Sequence, residues 1–106
     1  MPKDPDILIR QINMLHIIKS QSGLTDAINL IQPDDAVLLV EDAVYALFHQ
    51  SSPLIGLKDQ KDRFWVLQED LVARGLVDLA KVDAQLTDFK GFVYFTEQHA
   101  QSITWD

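Results

Sequence analysis

Three short stretches of unbroken apolar residues, at 14–18, 36–40 and 64–67, constrain this chain more than anything else in it. A strand with one face in water alternates apolar and polar residues, whereas a strand buried on both faces does not. Only His16 interrupts the three runs. They predict the inner strands of a parallel sheet with helices on either side. The segments between the runs carry helical spacing instead. Leu24, Ala27, Ile28 and Ile31 fall on one helix face, with Ser22 as N-cap and Pro33 closing the segment. Asp42 lies just past the second run, after Glu41, and is placed to cap a helix over 43–49. Glu69 and Asp70 open another helix, where acids favour the dipole, and Arg74 and Gly75 end it. Asp88 caps a last helix whose Phe89, Phe92, Val93 and Thr96 share a face. A fourth strand is expected within 79–86 and a fifth at Ser102–Trp105. Strand, helix, strand, helix is the order of an α/β fold: a three-layer α/β/α sandwich on a mostly parallel sheet of four to five strands.

At 106 residues, the chain has room for one domain with one real core. Residues 1–13 differ from the rest, with two prolines, mixed charge and a small apolar patch at Ile7, Leu8, Ile9 and Ile12. They read as an N-terminal extension ahead of an alternative start at Met14, or as an extra strand or helical turn packed on a domain spanning 14–106. Nine basic residues, none clustered, face sixteen acidic ones for a formal charge of -7. That balance argues against direct contact with nucleic acid. With no cysteine there is no disulfide framework, thiolate metal site or thiol nucleophile. No apolar run approaches a membrane span and no secretory pattern opens the chain, so a cytoplasmic protein is expected.

Motifs that carry chemistry are scarce. Four scattered glycines form no phosphate-cradling loop, and no nucleophile elbow is present. His16 reads as a strand histidine satisfied by the backbone, and His49 and His99 as histidines meeting helix C-termini. The pair Asp34–Asp35 reads as a turn and Glu69–Asp70 as a helix start. Asp42 is the strongest polar candidate, because open parallel sheets bind ligands at the carboxyl ends of their strands; capping explains it equally. No cofactor is implied. Trp65, Tyr94, Phe95 and Trp105 are candidates for a subunit interface. Tyr94 and Phe95 widen the apolar arc of the last helix past one face, as happens when another subunit covers a helix, or when a terminal helix is well buried in its own monomer.

Taken in order, four segments resemble one family. These are Met14-Leu15-His16-Ile17-Ile18, the run Leu38-Leu39-Val40-Glu41-Asp42-Ala43-Val44-Tyr45-Ala46, the stretch 66–76 from Val66 through Glu69, Asp70 and Arg74 to Leu76, and the closing set Asp88-Phe89-Lys90-Gly91-Phe92-Val93, Thr96-Glu97-Gln98-His99 and Trp105. Their order and spacing resemble the TusB/DsrH family of sulfur-relay subunits. The resemblance implies a DsrE-like fold and a heterohexamer with TusC-like and TusD-like subunits, passing persulfide sulfur toward the 2-thio group of the tRNA wobble uridine. It further implies that the working cysteine lies on the TusD-like subunit. Some DsrH members, which serve dissimilatory sulfur oxidation, carry a cysteine just after the first strand. Here that loop reads Lys19-Ser20-Gln21-Ser22-Gly23, so the role does not transfer. The extension before Met14 and the presence of Ala43, where relatives often have glycine, are departures. The expectation is therefore a non-enzymatic accessory subunit, able to self-associate when isolated. Two alternatives stand beside it: a DsrH-type subunit of sulfur oxidation, and a stand-alone small-ligand-binding module built around Asp42.

Overall fold

The computed structural model describes residues 14–48, 64–76, 85–98 and 101–106. His49, His99 and residues 1–13 lie outside the described residues. Five strands form one sheet: β1 (Leu15–Ile18), β2 (Ala36–Leu39), β3 (Phe64–Leu67), β4 (Gln85–Thr87) and β5 (Ser102–Trp105). Their spatial order is β4-β3-β2-β1-β5, and every pairing is parallel. Between them run α1 (Gln21–Ala27), a 3-10 helix (Glu41–Phe48), α2 (Gln68–Ala73) and α3 (Phe89–Gln98).

The unbroken apolar runs are the inner strands, as their sequence requires. Every residue of β1 and β2 is buried, while β5, at one edge, is exposed along most of its length. Alternate residues of each inner strand feed opposite faces. Ile18, Val37, Leu39, Phe64 and Val66 meet Leu24, Ala27, Val44 and Leu71 from α1, the 3-10 helix and α2. On the other face Leu15, Ile17, Leu38, Val40 and Trp65 pack with Phe92 of α3. Right-handed crossovers account for this division. Three successive steps from β1 to β4 move across the sheet in one direction and place their helices on one face. The step from β4 to β5 returns past β1 and places α3 on the other.

Several local expectations shift. The cap of α1 is Ser20 rather than Ser22; its hydroxyl accepts the Gly23 N–H at 2.9 Å. The helix expected over 43–49 is a 3-10 helix that starts at Glu41, so Asp42 lies inside it. Its pairs Ala43/Ala46 and Val44/Leu47 sit three apart and all reach the core, which suits a three-residue turn. Asp88 does cap α3, accepting the Gly91 N–H at 2.8 Å. Gly75 ends α2 at φ +69, a left-handed stop that glycine adopts without strain.

Candidate functional site: a cleft at the strand ends

A cleft of about 280 Å³ opens at the carboxyl ends of the strands, on the α3 side of the sheet. Ile17, Val40 and Leu67 form its apolar floor, and Phe89 and Phe92 form a wall from the first turns of α3. It lies where the helices that follow β3 and β4 part to opposite faces, the position at which open α/β sheets bind ligands. Lys19, Glu41 and Asp70 reach it from the residues just after β1, β2 and β3.

Each polar group at this rim is fixed by another. Glu41 holds a left-handed backbone at φ +50, uncommon for a side chain of its type. Its N–H donates to Asp70 Oδ2 at 2.7 Å, which ties the end of β2 to α2. Glu69 Oε2 accepts the Phe89 N–H at 2.9 Å and so ties α2 to the start of α3. The Lys19 ammonium lies 3.4 Å from Glu41 Oε2 and 3.5 Å from Asp106 Oδ1. Glu41 first, and then Asp106, hold it above the ordinary lysine range. Phe89 is 62% exposed, yet its ring stacks on Phe92 with centroids 6.1 Å apart and planes 9° from parallel. It is therefore not a core residue, contrary to the helical-face expectation. As the first residue of α3 it stands at the cleft mouth.

Asp42 is committed within the fold. Its Oδ1 accepts from Arg74 Nη2 at 2.8 Å and Nε at 3.3 Å, and this bond raises the Arg74 guanidinium above its usual value. Arg74 lies in addition over the Tyr45 ring, 5.8 Å from its centroid. Of the aromatic candidates, Trp65 is 9% exposed in the core, Tyr94 is 38% exposed on α3, and Trp105 is half-buried. Phe95 falls within α3, and its side chain lies outside the described residues.

His16 corrects its expectation. It is 2% exposed and satisfied by side chains rather than backbone. The Trp105 indole N–H donates to His16 Nδ1 at 3.1 Å, and His16 Nε2 lies 2.9 Å from Asp35 Oδ2. An indole can only donate, so Nδ1 accepts and Nε2 carries the proton to Asp35. Asp35 Oδ2 also accepts the Gln32 N–H at 2.9 Å. This buried relay faces the α1 side of the sheet, away from the cleft, and links β1 to β5 and to the turn before β2. Nothing at the strand ends supplies a sulfur nucleophile: the chain has no cysteine, and the Ser20 hydroxyl caps α1. Among the described residues, no group of three histidine or acidic side chains is placed to hold a metal, and no helix is long and apolar enough to cross a membrane.

The family model of the DsrH like protein matches residues 19–102. Protein TusB of Escherichia coli (strain K12) is 33% identical over 95 residues, covering 87% of this chain and 100% of the relative. Protein TusB of Shigella dysenteriae serotype 1 (strain Sd197) is 32% identical with the same coverage. Protein TusB of Yersinia enterocolitica serotype O:8 / biotype 1B (strain NCTC 13174 / 8081) is 32% identical over 82 residues, 77% of this chain and 86% of the relative.

Proposed function

The chain belongs to the DsrH-like family that includes the TusB proteins, and from that premise we propose that it is a non-catalytic subunit of a cytoplasmic sulfur-relay complex supporting 2-thiolation of the tRNA wobble uridine. One observation carries the reading: a chain similar to a TusB relative over that relative's whole length has no thiol. Persulfide transfer needs a thiolate to carry the sulfane sulfur, and no serine can replace it. A cysteine-free member of such a relay holds partners in place while the nucleophile acts from another chain. Its partners in this reading are TusC-like and TusD-like subunits in a heterohexamer, and its charge of -7 suits protein contact better than tRNA contact. Residues 14–106 are the domain that assembles, with 1–13 as an extension.

Co-expression with the TusC-like and TusD-like proteins of the same organism tests the reading. The expected result is a stable complex of all three chains, and loss of 2-thiouridine when this chain's gene is deleted. Absence of binding to either partner at micromolar concentration, or unchanged thiolation after deletion, would overturn it. The family model's DsrH description favours one second reading, a subunit in dissimilatory sulfur oxidation. Sulfite-reductase genes beside this one would support that alternative.

A further inference from the structure

We propose that the strand-end cleft walled by Phe89 and Phe92 docks a basic segment of a partner subunit, which inserts one large apolar side chain between those rings and the floor of Ile17, Val40 and Leu67. The proposal rests on the chain working as a subunit and assigns the surface by which it does so.

Three features carry it. The first is size. At about 280 Å³ the cleft falls just below the range of about 300–1,000 Å³ typical of small-molecule sites. That volume has room for one large anchoring side chain. The second is the exposed aromatic. Phe89 is placed by its ring on Phe92 and its N–H on Glu69, and the preceding residue, Asp88, caps the same turn at the Gly91 N–H. A large apolar ring held rigid in water beside an apolar cleft loses little entropy on binding, and such residues dominate interfaces. Val93, on the next turn of α3, is 37% exposed and continues the surface.

The third feature is charge, which selects the occupant. Strands β2 to β5 all run into acidic residues at this end of the sheet: Glu41 and Asp42, Glu69 and Asp70, Asp88, and Asp106. The described cations among them are Lys19, Arg74 and Lys90, so six carboxylates face three cations. Lys19 and Arg74 are already paired with members of that set. A second copy of this chain would set one acidic rim against another, and a nucleic-acid backbone has the wrong sign. A segment rich in lysine and arginine around an apolar anchor complements both the rim and the floor.

The test measures binding of the full chain to the TusC-like and TusD-like proteins of the same organism, singly and together. Phe89→Ala removes the wall at an exposed position. A double reversal, Glu41→Lys with Asp106→Lys, alters the two carboxylates that pair with Lys19 at the cleft, whose side chains are 54% and 82% exposed. Leu30→Ala is the control, because Leu30 is 57% exposed before β2, at the opposite end of the sheet. Melting temperature and circular dichroism establish that each variant is folded. Phe89→Ala and the double reversal are expected to weaken binding by roughly tenfold or more, as interface anchors do, with Leu30→Ala within about twofold. Affinity of the parent chain should fall as salt rises. If the parent binds and both cleft variants bind equally well, the cleft is not the docking surface, while the subunit reading stands. If the parent binds neither partner, both fall. Loss in Phe89→Ala alone, with no response to salt or charge reversal, overturns the basic occupant. A dimer of the isolated chain that Phe89→Ala dissolves overturns it in favour of a second copy.

Discussion

His16 shows how a single residue changes meaning between sequence and structure. A histidine within an apolar strand suggests backbone satisfaction, yet its partners lie 19 and 89 positions away, at Asp35 and Trp105. No local pattern reports such a pairing; only the parallel register, which sets His16 beside β5 and near the turn before β2, brings them together. The relay makes a stability prediction. Asp35→Ala orphans the buried Nε2–H of His16 and the Gln32 N–H, and should lower unfolding free energy by about 2–3 kcal/mol. Urea unfolding measures it. The double variant with His16→Leu should lose less than the sum of the single changes, because the His16–Asp35 pair is then removed from both sides and only the Gln32 and Trp105 N–H groups stay unpaired. Strict additivity would show the two residues act independently. Asp42 carries the opposite lesson. Its place at a strand end was legible, whereas the partner that occupies it, Arg74, lies across the gap to α2.

At the scale of elements, the inner strands were readable because burial on both faces leaves them one polar position, His16. The edges were harder. β4 is three half-buried residues at the end of the expected 79–86 stretch, because one of its flanks has no strand beside it and no uniform burial marks it. Helix starts followed local chemistry where the capping side chain was unique, as at Asp88, and slipped where two serines competed, as at Ser20 and Ser22. The approach of α1 to the end of β5 was not legible at all. A Cβ on Gly23 would sit 2.7 Å from the Trp105 carbonyl oxygen, the same atom that accepts the Lys19 N–H at 2.9 Å. The obstacle is backbone, so it cannot rotate away. Gly23→Ala is therefore expected to cost about 1–3 kcal/mol by overpacking, read as a lower denaturation midpoint. A variant as stable as its parent would show that the end of β5 yields freely.

For the whole molecule, charge and topology act together. The formal charge of -7 was evident from composition, but not that acids would gather at one end of the sheet. Parallel strands force that gathering, since every carboxyl end points the same way and the residue after each strand joins one rim. Mutual repulsion there should make stability depend on screening. Raising salt from about 0.02 M to about 0.5 M shortens the Debye length several-fold and is expected to raise the melting temperature. A fall would mean the attractive pairs of Lys19 and Arg74 outweigh the repulsion. By itself, then, the sequence determined the fold class, the family and the absence of thiol chemistry, because uninterrupted apolar runs, ordered motifs and residue identities are local properties of the chain. The tertiary structure alone decided the cleft, the exposure of Phe89 and the partners of His16 and Asp42. Those depend on which distant segments the crossovers set side by side, and the distance between such segments in space is not written in their separation along the chain.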